Sequence, residues 1–321
     1  MKRTPLFGKR AESPSMWRAR IVSAMRDHDA ASVLAIAREP NGRVLLREGL
    51  EVGGTFQPFW MGCVALGAHD MLEAVLRAAP NGVTLDDCCI VHHLPEGPRG
   101  LEFESSIEPV YIAAREGDAA ALGLALEFGA APACINTPEA RLDNSTLHSY
   151  VLGCAIRASM KKQGELAEAG GYAQCCRVLL ARKVPFVGTK FSDVNTLFFH
   201  SSWHKRDAQE VIGPLLHDYF NAGLIDLDAL RPGACRPATQ AALVGNGYAA
   251  AAAITLGCNL ALAVENTGHS DLHSLALAQD DLPLEERERC AMLVAEATMR
   301  RKLTAIEVAA VAPQAPRRAG V

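Results

Sequence analysis

The chain has 321 residues, of which 49% are hydrophobic and 21% charged, and a net charge of -4 at neutral pH. This composition excludes disorder over most of the length, and the acidic balance removes the electrostatic drive for non-specific nucleic-acid binding. Ten cysteines, with adjacent pairs at Cys88-Cys89 and Cys175-Cys176, make a poor disulfide framework, so a reducing, cytoplasmic compartment is expected.

In chain order, residues 1–15 are basic, contain Ser and Pro, and lack an apolar run. They read as a disordered arm rather than a secretory signal. From Met16 to Arg38, one stripe of Trp17, Ile21, Val22 and Met25 is followed by Asp27-His28-Asp29 and a second stripe of Val33, Leu34 and Ile36. Spacing of this kind predicts two short helices joined by a turn, with Arg18, Arg20 and Arg26 keeping an outer face wet. Pro58 to Ala79 repeats the plan around Gly67-Ala68-His69-Asp70, and its first helix carries Phe59, Trp60, Val64 and Leu66. Residues 80–107 exceed what such a plan needs and read as an insertion or a further degenerate hairpin through 85–94. Pro109 then opens a third unit, with Val110, Ala113 and Ala114 before Gly117-Asp118 and Ala121, Leu122, Leu124, Ala125 and Leu126 after it. Proline is tolerated at a first helical position because the amide it lacks has no partner there.

A fourth unit opens at Ser145-Thr146-Leu147-His148 and resumes at Tyr172 after a polar, glycine-containing insertion over 161–171. Asn195 to Ala222 gives a fifth, with Leu197, Phe198, Val211, Ile212, Leu215, Leu216 and Phe220 as the expected buried set. Pro237 to Cys258 gives a sixth. No charged residue occurs from Pro237 to Val264, but Gly245-Asn246-Gly247 would put a turn in mid-bilayer, so no membrane insertion is expected. The seventh begins Ser270-Asp271-Leu272-His273 and ends near Leu303, with 304–321 as a flexible tail. Cys63, Cys154, Cys235 and Cys290 fit as small buried hydrophobes.

Pro109-Val110-Tyr111-Ile112-Ala113-Ala114-Arg115-Glu116-Gly117-Asp118, with Gly129-Ala130 after the second helix, resembles an ankyrin repeat, and Arg236 to Gly247 with Gly257-Cys258 repeats its offsets. The resemblance implies an all-α, ankyrin-like solenoid of about six to seven helix-turn-helix units over 16–303, with long irregular loops. It also implies a non-enzymatic module that binds another protein in a concave groove. In that family the two residues before the turn glycine point into the groove, here Ala65 and Leu66, Arg115 and Glu116, and Leu243 and Val244, with Tyr111 nearby. Leu243 and Val244 could equally pack against a loop. Trp60 and Trp203 are either interface anchors or core. His148 and His273, at the histidine position of the family motif, are expected to hydrogen-bond backbone between units. Arginine outnumbers lysine and alanine is abundant, which fits a bacterial protein, delivered to a host by its N-terminal arm.

No cofactor is implied. The alternative is an enzyme or zinc protein centred on 80–107, where Cys88, Cys89, His92 and His93 place four soft ligands together. On one helix 88 would face 92 and 89 would face 93, yet adjacent residues diverge by about 100°, which disfavours convergence on one metal. His200 and His204 have the spacing of a zinc-protease helix, but Ser201 stands where the general base is needed. Gly49, Gly53 and Gly54 lack the lysine and helix of a phosphate-binding loop.

Overall fold

The computed structural model describes residues 14–40, 42–47, 49–93, 103–106, 108–131, 147–160, 166–184, 206–229 and 235–311. Helices dominate, as the short apolar stripes require, and the strands among the described residues form only two hairpins. The chain divides into two compact units, Met1–Thr137 and Pro138–Val321.

In the first unit, α1 (Pro14–Arg26) and α2 (Ala30–Arg38) form the first hairpin, α4 (Phe59–Leu66) and α5 (His69–Ala78) the second, and α7 (Pro109–Glu116) and α8 (Ala119–Glu127) the third. First helices pack on first helices, α1 on α4 and α4 on α7, while α2 packs on α5 and α5 on α8. Each of these helices is too short to persist alone in water, so the neighbour supplies the burial that holds it. Ile21, Met25, Val33, Ile36, Phe59, Trp60, Cys63, Met71, Leu72 and Val75 make the core, all but inaccessible to solvent.

The turns share one closure. A residue in the left-handed region, His28, Gly67 or Gly117, ends the first helix, and the next amide returns to the carbonyl five residues back: Asp29 to Ala24, Ala68 to Cys63, Asp118 to Ala113, at 2.8–2.9 Å. This satisfies carbonyls that the helix end would leave unpaired. Asp29 and Asp118 then cap the following helix by accepting from the Ser32 and Ala121 amides.

Between hairpins the fold departs from all-helical expectation. β1 (Leu50–Val52) and β2 (Thr55–Gln57) pair antiparallel through Gly53-Gly54, both at positive φ, the backbone that a two-residue hairpin turn demands. The glycines thus serve an exposed tight turn, while β1 packs on α1 and α4. Residues 80–107 are no further helical hairpin where described: a 3-10 turn at Pro80–Gly82 leads to α6 (Leu85–Cys89) and then to β3 (Ile90–His93), paired with β4 (Phe103–Ser106). Between the first hairpin and β1 lies α3 (Gly42–Arg47). It holds α6 through the buried Asp87, which accepts from Arg43 at 2.9 Å and from the Thr84 amide and hydroxyl at 2.9 Å each.

The second unit contains α9 (Leu147–Met160), α10 (Leu166–Ala181), α11 (Arg206–Asn221), α12 (Pro237–Leu243), α13 (Gly247–Leu256), α14 (Leu260–Ala263), α15 (Leu272–Leu277) and α16 (Leu284–Val311). Helices α10, α11, α13 and α16 pack in succession, and α12 packs on α15. The α12–α13 turn repeats the earlier closure, with Gly245 left-handed, Asn246 returning to Ala241 at 2.8 Å, and the buried Asn246 side chain capping Ala249. Second helices end alike: Ala130 returns to Ala125, Val184 to Leu179, Leu224 to Tyr219 and Cys258 to Ala253.

Several boundaries differ from the sequence reading. Helix α10 already begins at Leu166 and absorbs Gly170 and Gly171, so the insertion it interrupts is shorter. Helix α16 continues to Val311, eight residues past the expected end. In α11 Ile212, Leu215 and Leu216 are buried as expected, Val211 and Phe220 only partly, and the buried Tyr219 is an addition. Leu197 and Phe198, the arm before Pro14 and the tail after Val311 lie outside the described residues. No helix among the described residues is long and apolar enough to cross a membrane.

The uncharged stretch serves close packing. A Cβ at Gly247 would stand 2.8 Å from the Cys290 Cα on α16, so the two helices meet backbone to backbone. Gly247→Leu is therefore expected to force α13 from α16 at a cost of about 3 kcal/mol, read as a lower midpoint in urea with an unchanged slope.

Candidate functional site

The residues preceding each turn are exposed or half-buried. In the first unit these are Arg26 and Asp27, Ala65 and Leu66, and Arg115 and Glu116, borne by adjacent first helices. Arg26, Asp27 and Ala65 are exposed and Leu66 is half-buried. Arg115 Nη2 donates to the neighbouring Glu116 carboxylate at 2.7 Å, with the side chains 45% and 49% exposed. Tyr111, one turn earlier on α7, is half-buried.

Beside this row the turns are bridged. His28 Nδ1 lies 3.1 Å from Asp70 Oδ1 at the surface, and His69 Nε2 lies 2.6 Å from Asp118 Oδ2 in a more protected position. The Asp118 hydrogen bond is the main cause that raises the His69 pKa above its ordinary value. Burial pushes the Asp118 carboxyl up, and the bonds from His69 and the Ala121 amide more than offset it, leaving the carboxyl below its usual range. Sequence reading put His69 and Asp118 in turns without joining them. His69 stands two residues after Gly67 and Asp118 one after Gly117, and no shared offset links them.

A histidine whose folded pKa is raised stabilises fully below its unfolded value and loses that contribution as pH climbs through the folded value. His69→Gln is accordingly expected to destabilise more at about pH 5.5 than at about pH 8, by denaturant titration at both.

The other residues singled out by sequence are dispersed. Trp60 is fully buried on α4, which places it in the core, one of its two expected alternatives, and removes it from the partner-binding surface; α4 packs on α1 and α5, and the indole nitrogen finds no acceptor among the described atoms. Leu243 and Val244 are half-buried at the end of α12, in the second unit. Trp203, His200 and His204 lie outside the described residues. His273 is exposed on the helix that Asp271 caps, so it does not take the buried, bridging place that the family motif implies for it.

Cys88 and Cys89 end α6 and are buried. Burial drives the Cys88 thiol well above its ordinary pKa, and the Cys89 thiol also rises. The chain is strand, not helix, from Ile90 onward, so helical spacing does not relate the cysteines to His92 and His93, whose side chains lie outside the described set. Among the described residues no three His, Cys, Asp or Glu side chains gather to hold a metal ion.

One buried polar chain does form, in the second unit. His148 Nε2 lies 3.2 Å from the Val184 carbonyl and Nδ1 lies 3.0 Å from the Tyr219 hydroxyl. Burial lowers the His148 pKa, so the ring is neutral, and a carbonyl can only accept. Nε2 therefore carries the proton, Nδ1 accepts from Tyr219, and the Tyr219 oxygen is left to accept from the Cys176 thiol with which it is hydrogen-bonded. Burial pushes that thiol up to about 12, so it is no nucleophile near neutrality. The arrangement ties α9, α10 and α11 together: His148 bonds to backbone, but at the end of its own unit, and reaches the next unit through the Tyr219 side chain.

No protein-family model matches the chain, and no curated protein matches it.

Proposed function

We propose that the chain is a non-enzymatic protein-interaction module, an ankyrin-like array of helical hairpins whose partner is another protein. The observation that carries this reading is the row of pre-turn residues, Arg26-Asp27, Ala65-Leu66 and Arg115-Glu116, on consecutive hairpins closed by the same turn. Packing fixes the helices behind the row, so the row offers a pre-organised surface of mixed charge and small apolar contacts, which lowers the ordering cost of binding. Arg115 is the expected energetic centre, since arginine is enriched where truncation costs most.

Affinity capture with the tagged chain tests it. Arg115→Ala with Glu116→Ala is expected to weaken retention of the specific partner about tenfold or more, with the helical circular dichroism unchanged. Equal retention by parent and variant would remove the row from the interface. Delivery to a host cell belongs to the same proposal, and it requires that deletion of residues 2–15 abolish secretion.

A further inference from the structure

Helix α16 is apolar on two opposite sides. Cys290, Ala291, Val294 and Ala297 face the rest of the second unit and are buried. Met292, Met299, Leu303 and Ile306 are exposed by 53%, 64%, 54% and 64%, and at 100° per residue they fall within an arc of about 60° on the far side. The stripe keeps the seven-residue interval from Met292 to Met299 to Ile306, the spacing with which one helix meets another along its length. From Lys302 to Val308 every side chain is exposed, so the final turns stand clear of α13 and α15.

The charges select the occupant. Residues 284–297 carry Glu285, Glu286, Glu288 and Glu296 against Arg287 and Arg289, whereas 298–311 carry Arg300, Arg301 and Lys302 against Glu307. Arg287 and Arg301 are held by Asp280 and by the Ile254 and Cys258 carbonyls, so the exposed surface of α16 is acidic in its first half, with Glu285, Glu288 and Glu296, and basic in its second, with Arg300 and Lys302 against Glu307. A parallel copy would set like on like, and an antiparallel copy sets each half against its complement.

We infer that this face of α16 binds a second copy of the chain, as an antiparallel helix pair with its two-fold axis at Met299. A two-fold interface is self-complementary: Met299 meets Met299, Met292 meets Ile306 of the other copy, and Glu296 lies beside the other copy's Arg300. Within one copy Glu296 and Arg300 already form a long, exposed i,i+4 ion pair at 3.8 Å, which the partner copy's pair would extend into a network across the two-fold axis. The inference does not depend on the pre-turn row as a binding surface.

Sedimentation of the full chain over about 1–100 µM, where a small interface dissociates, is expected to show the mass rising from 34.3 kDa toward twice that value. Met299→Glu with Ile306→Glu should weaken association about a hundredfold by burying unpaired charge, with thermal unfolding and partner capture unchanged. Oxidative crosslinking fixes the register: Met299→Cys alone should give a disulfide-linked dimer, Met292→Cys alone should not, and a mixture of Met292→Cys and Ile306→Cys chains should. A monomer at all concentrations, a dimer indifferent to the glutamates, or crosslinking through Met292→Cys as readily as through Met299→Cys would each overturn the inference.

Discussion

Trp60→Ala is expected to lower stability by about 3–5 kcal/mol, the range for deleting a large aromatic from a packed core. Trp60 is fully buried on a helix that touches α1, α5, α6, α7 and β1, so the cavity has walls on every side and little means to collapse. The loss is a large share of what a domain possesses. Urea unfolding should show it, with Trp60→Phe as the contrast: the indole nitrogen has no acceptor among the described atoms to lose, so only the volume difference is paid. Partner capture by the stable phenylalanine variant should equal that of the parent. Capture abolished in a variant of full stability would place Trp60 at the interface instead.

The second large effect lies in the buried His148–Tyr219 pair. His148→Ala leaves the Tyr219 hydroxyl and the Val184 carbonyl without their partner and opens a cavity, for an expected loss of about 3 kcal/mol. Tyr219→Phe keeps the shape and orphans Nδ1 of His148 and the Cys176 thiol, at about 1–3 kcal/mol. The pH dependence is opposite in sign to that of His69. A histidine with a depressed folded pKa is protonated first in the unfolded chain, so stability falls as pH drops below the ordinary value of 6.5 toward the folded one. His69 contributes nothing to the slope there and erodes stability above 6.5. These two groups together place a stability maximum near pH 6.5, which equilibrium unfolding of the parent across neutral pH should reveal. His148→Ala should flatten its acid side alone.

Much of the helix plan was legible because it rests on local chemistry. The Gly67, Gly117 and Gly245 turns announced themselves as glycine between two apolar stripes, and Pro109 and Pro237 marked helix starts. The β-hairpins were not legible in the same way. Leu50 to Gln57 has a three-residue alternation on each side of two glycines, too short to outweigh a helical context, and its strands gain their stability from α1 and α4. Residues 88–93 misled for a related reason, since α6 stops at Cys89 where strand pairing with Phe103–Ser106 takes over, and no local signal encodes a partner ten residues on. Of the candidate site, Arg115 and Glu116 were found from their place before a glycine, whereas Trp60 could not be assigned from sequence because core and interface favour the same side chain. The His69–Asp118 bridge spans 49 positions, and nothing in either turn alone reveals it.

Asp118 serves two hairpins with one carboxylate. One oxygen caps α8 through the Ala121 amide, and the other receives His69 from the preceding turn. The hairpins are therefore not interchangeable parts. Excising α4 and α5 as a block would strip the preceding partner from the third hairpin's cap, and splicing in a hairpin without a histidine at that place would do the same. Changes in the number of hairpins through recombination would be tolerated only where the junction carries the histidine and the aspartate across together, which makes the pair, rather than the hairpin, the unit of exchange.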